Sequence, residues 1–415
     1  MRHGRLKRSR PSSTLFGFIG TAAVVALVSA GSIAAIAAND VRDDIKTIKL
    51  SPSDEGKART QDINAIKGGA NILLIGSDTR VGQTAEREDA EGARNDVTML
   101  VHISEDHSQV TVVSFPRDTM VPIPSCTDPD TGESSYPQSK AMFNTALGEG
   151  GPKGGVACVA KTVENLTGLS IPYAGLITFD GVIAMSNALG GVTVCLAKPI
   201  HDGTFLNLPA GKVPLKGDEA LAFLRTRHGV DDGSDVARIS NQQVFLSAML
   251  RQLTGEGALD NPITLYKFAK AATSNMTLSE GLNSTGTLVS LAAAVRSTNT
   301  SNMLLVQYPT IADPDNVNRL VVSQDAAHSL DVALQNDERT QIADGAIGRG
   351  AVDSTATPRA PRSGSSASNS STGNSHPSGG SSATSSSPGV NAPTALPSSI
   401  TGQNAAQQTC SKGTN

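Results

Sequence analysis

The stretch LRTRHGVDDGSDVARISNQQ, residues 224–243, sets Arg225, Arg227 and Arg238 among acids and ahead of Gln242. Guanidinium groups about 5 Å apart repel by roughly 3 kcal/mol per pair at an effective dielectric near 20. Something anionic must offset that. One candidate is internal: Asp231, Asp232 and Asp235 are close in sequence, and Asp235 can cap a helix carrying Arg238. The other is a multiply charged ligand such as a pyrophosphate. Arginine grips phosphate with planar, bidentate contacts that lysine cannot copy. On these residues alone both readings stay open.

Three further Arg–Asp pairs stand at the ends of predicted strands: Asp78 and Arg80 in IGSDTR, Arg94 and Asp96 in ARNDVTML, Arg117 and Asp118 in SFPRDT. Polar groups at strand ends line the ligand crevice of many α/β sheets. The runs VTMLVHI and QVTVVSF, joined by the polar turn SEDHS, predict a hairpin that brings Asp96 and Arg117 together. If FLRTR is extended, Arg225 and Arg227 face the same way. Arg238 and Gln242 are four apart on a predicted helix and share a face. In a phosphate site, Asp78 and Asp96 suit Mg2+, which takes one or two protein carboxylates and completes its shell with water and phosphate oxygens. Either acid alone reads equally as a turn or capping residue. A site of this kind performs phosphoryl transfer mostly by positioning and charge neutralisation. The sequence holds no Walker motif, GxSxG or HExxH, and the isolated His228 reads as a surface or supporting group.

The elements that must position these groups alternate. Strand-like runs (ANILLIGS, VTMLVHI, QVTVVSF, IPYAGLITF, VTVCLA, NMLLVQYP) are interspersed with helical ones (GGVACVAKTVENLTG, DGVIAMSNALGG, GDEALAF, SDVARISNQQVFLSAMLRQL). This pattern predicts a layered α/β domain with a mixed sheet over residues 68–345. Before it come a basic tail, residues 1–14, and an uncharged stretch, residues 15–38, long enough for a bilayer core. Five Lys or Arg in the first ten residues and Asp40, Asp43 and Asp44 after the stretch predict a single-pass membrane protein with a cytoplasmic N-terminus and an exported domain. AIA before AND resembles a cleavage site, but signal-peptide apolar regions are shorter, about 7–15 residues, which favours an uncleaved anchor. Residues 39–67 read as a stalk. Residues 352–415, rich in Ser, Gly, Pro, Thr and Ala, read as a disordered tail. Outside the cytoplasm thiols pair. Cys126 and Cys158 flank a Pro, Gly and Ser-rich loop and are expected to form a disulfide, while the pairing of Cys195 and Cys410 stays open. A net charge of −4 with no Trp argues against a nucleic-acid partner.

Taken together, NILLIGSDTR, RNDVTML, VTVVSFPRDT, TVENLTGL, FDGVIAMSNALGGVTV, LKGDEALAFLRTRH and SDVARISNQQ resemble the LytR-CpsA-Psr family, in order from about Gly68 to Leu253. The cysteines and MFNTALGEGGP resemble its actinobacterial branch. The resemblance implies a three-layer α-β-α sandwich with an apolar pocket for a polyprenyl tail. It implies transfer of a glycopolymer phosphate from a polyprenyl-pyrophosphate carrier to a peptidoglycan hydroxyl, with Mg2+, at the cell membrane. By that resemblance Asp78 and Asp96 hold or face the metal, and Asp96 helps deprotonate the acceptor. Arg94, Arg117, Arg225, Arg227 and Arg238 grip the pyrophosphate with Gln242 assisting. Many relatives carry Lys-Ile-Asn after the PRD segment, whereas SKAMFNTA here spreads Lys140 and Asn144 apart, which puts Lys140's reach to the phosphates in doubt.

Other functions compete. A pyrophosphatase would use the same site with water as acceptor. A non-catalytic polyprenyl-phosphate binder would not need both the Asp and the Arg sets. A transcriptional regulator would need a basic helix-turn-helix in the cytoplasm, which ten basic N-terminal residues cannot form.

Overall fold

The computed structural model describes residues 40, 45–50, 69–77, 93–255, 261–354 and 393–414. The expected membrane span, residues 15–38, most of the stalk, and Asp78 and Arg80 lie outside the described residues. Among the described residues no helix is long and apolar enough to cross a membrane.

The centre is a mixed eight-stranded sheet. Its strands in chain order are β1 (Lys46–Ile48), β2 (Ala70–Ser77), β3 (Asn95–Ile103), β4 (Val110–Phe115), β5 (Tyr173–Thr178), β6 (Met276–Ser279), β7 (Met303–Gln307) and β8 (Gly402–Asn404). They lie side by side as β1-β6-β5-β2-β3-β4-β7-β8. β2, β3 and β4 run antiparallel, and β5 and β7 pair in parallel with β2 and β4. Among the described residues the α-helices, in chain order, are α1 (Gly151–Thr167), α2 (Phe179–Ala188), α3 (Gly217–Arg225), α4 (Asp235–Gly255), α5 (Pro262–Ser274), α6 (Thr285–Ser297) and α7 (Gln324–Gln335).

Strand residues alternate between faces, and each face has its own core. Leu73, Ile75, Leu100, Val113 and Val306 pack with Val156, Val159 and Val163 of α1 and Leu330 of α7. Ile72, Ile103, Val112 and Leu305 pack instead with Ala294 of α6 and with Leu246 and Leu250 of α4. Helices therefore cover both faces of the sheet. α1 ends where Gly168 takes φ 69°, a left-handed cap that lacks the steric cost a side chain would add. α2 begins at Phe179 and is capped by Thr178, whose Oγ1 accepts the Gly181 N–H at 3.3 Å.

One expectation is corrected. The Ser/Gly-rich composition of residues 352–415 predicted a disordered tail, yet residues 393–414 are built into the domain. β8 pairs with β7 at the sheet edge. Thr409–Ser411 inserts between Val192–Leu196 and Ala351–Asp353. Leu396, Ile400 and Ala405 are buried. A composition averaged over the whole tail hides this short segment with its own apolar residues and cysteine. Cys410 is disulfide-bonded to Cys195, and Cys126 to Cys158.

The core also holds an ionisable pair. Tyr308 Oη donates to Asp331 Oδ2 at 3.0 Å beneath α7. Burial pushes the Asp331 carboxyl up to about 7, opposed in part by that hydrogen bond. A raised folded-state value means that Asp331's stabilising contribution is complete below its unfolded pKa and is lost as pH climbs through 7. Asp331→Asn is therefore expected to flatten the fall in melting temperature between pH 5 and 8 and to raise it by about 5 °C at pH 8. Thermal melts across that range check this; parallel pH curves for the two proteins would refute it.

Candidate functional site

β3 and β4 form the expected hairpin, with Thr98 opposite Phe115. The start of one strand therefore lies beside the end of the other. Arg117, two residues beyond β4, contacts the Asp96 carboxylate through Nη1. Its backbone N–H donates to Asp235 Oδ2 at 3.0 Å. Asp235 opens α4, and its other oxygen takes Arg238 Nη2 at 2.6 Å and Arg227 Nη2 at 3.2 Å. Asp118 stands 3.8 Å from Arg117 Nε and 3.9 Å from Arg227 Nη2. Arg238 also donates to the Asp96 carbonyl at 2.8 Å.

Three guanidinium groups and three carboxylates thus share one site, and their formal charges cancel. The site is graded in depth. The Asp235 and Arg238 side chains are 3% and 7% exposed, whereas Arg117 and Arg227 are 24% and 27% exposed. Desolvation pulls the Arg238 guanidinium below its ordinary value, with Asp235 opposing and the neighbouring Arg117 and Arg227 adding to the fall. Nε of Arg117 and Nε of Arg238 are buried and have no hydrogen-bond partner among the described residues. Arg117 Nε is still within ion-pair distance of Asp118, at 3.8 Å, and of Asp235, at 3.7 Å.

The other expected residues divide. Arg225 and Arg227 do not share a strand face. Ala220 and Phe223 are buried on α3, which keeps the chain helical through Arg225. Arg225 then lies over the Phe179 ring at 4.3 Å, while Thr226 breaks the helix and donates to Asp202 Oδ2 at 2.6 Å. Gln242 lies one turn from Arg238, but its amide nitrogen donates to the Leu224 carbonyl at 3.1 Å and so closes the end of α3. Lys140 is not part of the cluster. Its ammonium pairs with Asp313 at 3.0 Å and Asp315 at 2.8 Å on the small sheet formed by Thr119–Ile123, Gln138–Met142, Thr310–Asp313 and Asn316–Val322. The bonds to Asp315 and Asp313 raise the Lys140 pKa, and the Asp315 backbone N–H, followed by Lys140, lowers that of Asp313. Arg94 is exposed, and its carbonyl accepts Ser77 Oγ at 2.7 Å. Of the three acids that the sequence offers as internal counterions, Asp235 takes that place, whereas Asp231 pairs with Lys412 and Asp232 with Arg349. The place of Asp235 three residues before Arg238, on one helical face, was the available signal.

Near the start of β3 opens a cavity of about 1140 Å³ with a mixed lining: Leu147, Val156, Leu176, Phe179, Leu221 and Met276 give it an apolar part, and Lys46, Lys49, Lys153, Asp130, Asp180 and Glu280 a charged one. Ser77 and Ala93, next to Arg94, also line it. Phe179, one of its lining residues, carries Arg225 over its ring.

For a divalent cation the residues fit. Among the described residues no three His, Cys, Asp or Glu side chains converge on one point. Mg2+ needs only one or two carboxylates, and the Asp96 oxygen not held by Arg117 has no hydrogen bond among the described residues. Asp78 follows Ser77, which pairs with Asn95 beside Asp96, but lies itself outside the described residues.

The model of the LytR_cpsA_psr family matches residues 33–336. The chain belongs to the LytR-CpsA-Psr family. It is 31% identical over 248 residues to the Cell wall biosynthesis protein LcpA of Corynebacterium glutamicum, covering 53% of this chain and 47% of that one. It is 31% identical over 202 residues to the Polyisoprenyl-teichoic acid--peptidoglycan teichoic acid transferase TagU of Oceanobacillus iheyensis, covering 48% and 57%. The chain spans about half the length of the curated relatives it matches. The crystal structure of protein gbs0355 from Streptococcus agalactiae superposes with a TM-score of 0.52 at 21% identity, over 65% of this chain and 87% of that one. The two share the mixed α/β fold. The LytR-CpsA-Psr match takes in every arginine and aspartate of the cluster and stops short of the C-terminal segment 393–414.

Proposed function

We propose that this member of the family transfers a glycopolymer phosphate from a polyprenyl-pyrophosphate carrier to a hydroxyl of peptidoglycan. The observation that carries this reading is the meeting of Arg117, Arg227 and Arg238 in one partly exposed site, in a domain that also holds a cavity of about 1140 Å³ with an apolar part. The cavity suits a polyprenyl tail and the arginines suit its pyrophosphate. Residues 15–38 anchor the chain in the membrane, with the domain outside the cytoplasm.

In the ligand-free state Asp96, Asp118 and Asp235 offset the guanidinium charges. An arriving pyrophosphate takes over the half-exposed Arg117 and Arg227, while Asp235 keeps Arg238 and the Arg117 backbone in place. The acceptor oxygen attacks the phosphorus that carries the saccharide, and the P–O bond to the polyprenyl phosphate breaks. The hydroxyl proton passes to Asp96. Donors preset in a partly dry site cost no reorganisation as charge develops on the leaving phosphate. Asp96, with Asp78, would hold Mg2+, which would supply further neutralisation of the phosphate oxygens.

Purified protein, Mg2+, a polyprenyl-pyrophosphate-linked saccharide and a short peptidoglycan glycan, with products read by mass spectrometry, test the reading. A saccharide–phosphate–glycan adduct, lost in Arg117→Ala, is expected. Free saccharide phosphate alone makes the protein a pyrophosphatase, and retained lipid without turnover makes it a carrier-binding protein. In the same assay Asp96→Asn is expected to lower the rate at least about 100-fold and to remove its dependence on Mg2+ concentration. A variant that keeps the wild-type Mg2+ curve would take Asp96 out of the metal site.

A further inference from the structure

One face of α5 is partly exposed and partly held by Asp40. Ile263, Tyr266, Lys267 and Lys270 are spaced i, i+3, i+4 and i+7, so they share that face. Ile263 is 65% exposed and Tyr266 36% exposed, and Lys267 is exposed beside them. The same face holds Asp40. Tyr266 Oη donates to Asp40 Oδ2, and Lys270 Nζ meets the Asp40 carboxylate and carbonyl, each at 2.9 Å.

Asp40 is two residues beyond Ala38, the last residue of the uncharged stretch. Two extended residues reach about 7 Å. Where residues 15–38 span the bilayer, the chain leaves the apolar core and is on α5 within that distance. We infer that α5 lies against the outer surface of the membrane, its Ile263–Lys267 face in the headgroup layer. The inference rests on the membrane-span reading of residues 15–38 and goes beyond it by naming the docking surface.

The chemistry of the face fits a lipid surface. An apolar side chain enters the acyl boundary, a tyrosine sits at the headgroup level, and lysines extend toward anionic phosphates. Residues at the other end of the helix line the large cavity, among them Ser274 and its neighbour Asn275. A helix of this length covers about 20 Å. Docked α5 therefore holds the cavity within a short distance of the bilayer, where a lipid-linked substrate can enter without its tail crossing water.

The chain contains no Trp, so single-Trp variants report without background. The full-length protein is placed in vesicles of phosphatidylcholine and phosphatidylglycerol brominated, in separate samples, near the headgroup end of the acyl chains for the α5 and control probes and near their methyl end for the span probe. Trp is introduced as Ile263→Trp, or as Lys267→Trp if the first folds poorly. Leu27→Trp reports on the span. Val317→Trp, at an 83% exposed site on the separate four-stranded sheet, serves as control. The expected result is blue-shifted emission and several-fold stronger quenching for the α5 probe than for Val317→Trp. Quenching of Leu27→Trp with an α5 probe no different from the control overturns the docking surface and leaves the anchor standing. A blue-shifted but unquenched α5 probe means that protein, such as a second copy, covers the face, and also overturns it. An unquenched Leu27→Trp removes the anchor and the inference with it.

Discussion

Asp235→Ala is expected to destabilise the domain by about 3–5 kcal/mol, more than any single arginine substitution in the cluster. Asp235 is almost wholly buried and accepts from the Arg117 backbone, Arg227 and Arg238 together. Its removal leaves Arg238 as an uncompensated buried charge with two like charges beside it. Arg227→Ala is expected to behave in the opposite way. That side chain is 27% exposed, so its loss moves the melting temperature little. Turnover falls by about 10²–10³-fold, the loss that follows removal of one preset donor at a developing charge. Thermal melts and single-turnover rates on both variants check the contrast. The double variant sharpens it: with Arg227 also gone, one of the repelling cations left behind by Asp235→Ala is absent, so the combined destabilisation is smaller than the sum. Additive losses, or an Arg227→Ala protein that melts early with full specific activity, would make the cluster a structural ion-pair network and not a phosphate site.

Removal of residues 393–415 is expected to have the other large effect, a fall of at least about 10 °C in melting temperature. The Cys195–Cys410 bridge joins residues 215 apart in sequence. In the chain-entropy picture a loop of that size is worth roughly 5 kcal/mol. The segment also braces the loop that carries Arg227. Asp231 N–H donates to the Lys412 carbonyl at 3.0 Å, Thr414 N–H to the Gly229 carbonyl at 3.1 Å, and Lys412 Nζ pairs with Asp231 at 2.6 Å. Behind that loop, Gln403 Nε2 reaches the Gln243 carbonyl of α4 at 2.9 Å. Cys410→Ser is expected to give a part of the same loss. Calorimetry of the two variants against the parent measures both, and an unchanged melting temperature after truncation would show that the segment is dispensable.

From the sequence by itself come the alternation of strands and helices, the hairpin that joins Asp96 to Arg117, the family, and the arginines as the centre of interest. All of these rest on local periodicity or on motifs that keep their order along the chain. Arg225 shows where such reasoning stops. A two-residue spacing predicted a shared strand face, but buried Phe223 and Ala220 kept the segment helical and sent Arg225 to Phe179. Lys140 and Gln242 show the same limit: their partners, Asp313, Asp315 and Leu224, are distant in sequence and come near only through folding. The C-terminal segment is the largest case, since a short stretch with few apolar residues is ordered because a sheet edge, an open place between two strands and a partner cysteine await it. Tertiary structure alone decided that Asp235 stands at the middle of the arginines, because a carboxylate that looks like a helix cap becomes a shared counterion only when three separate chain segments converge on it.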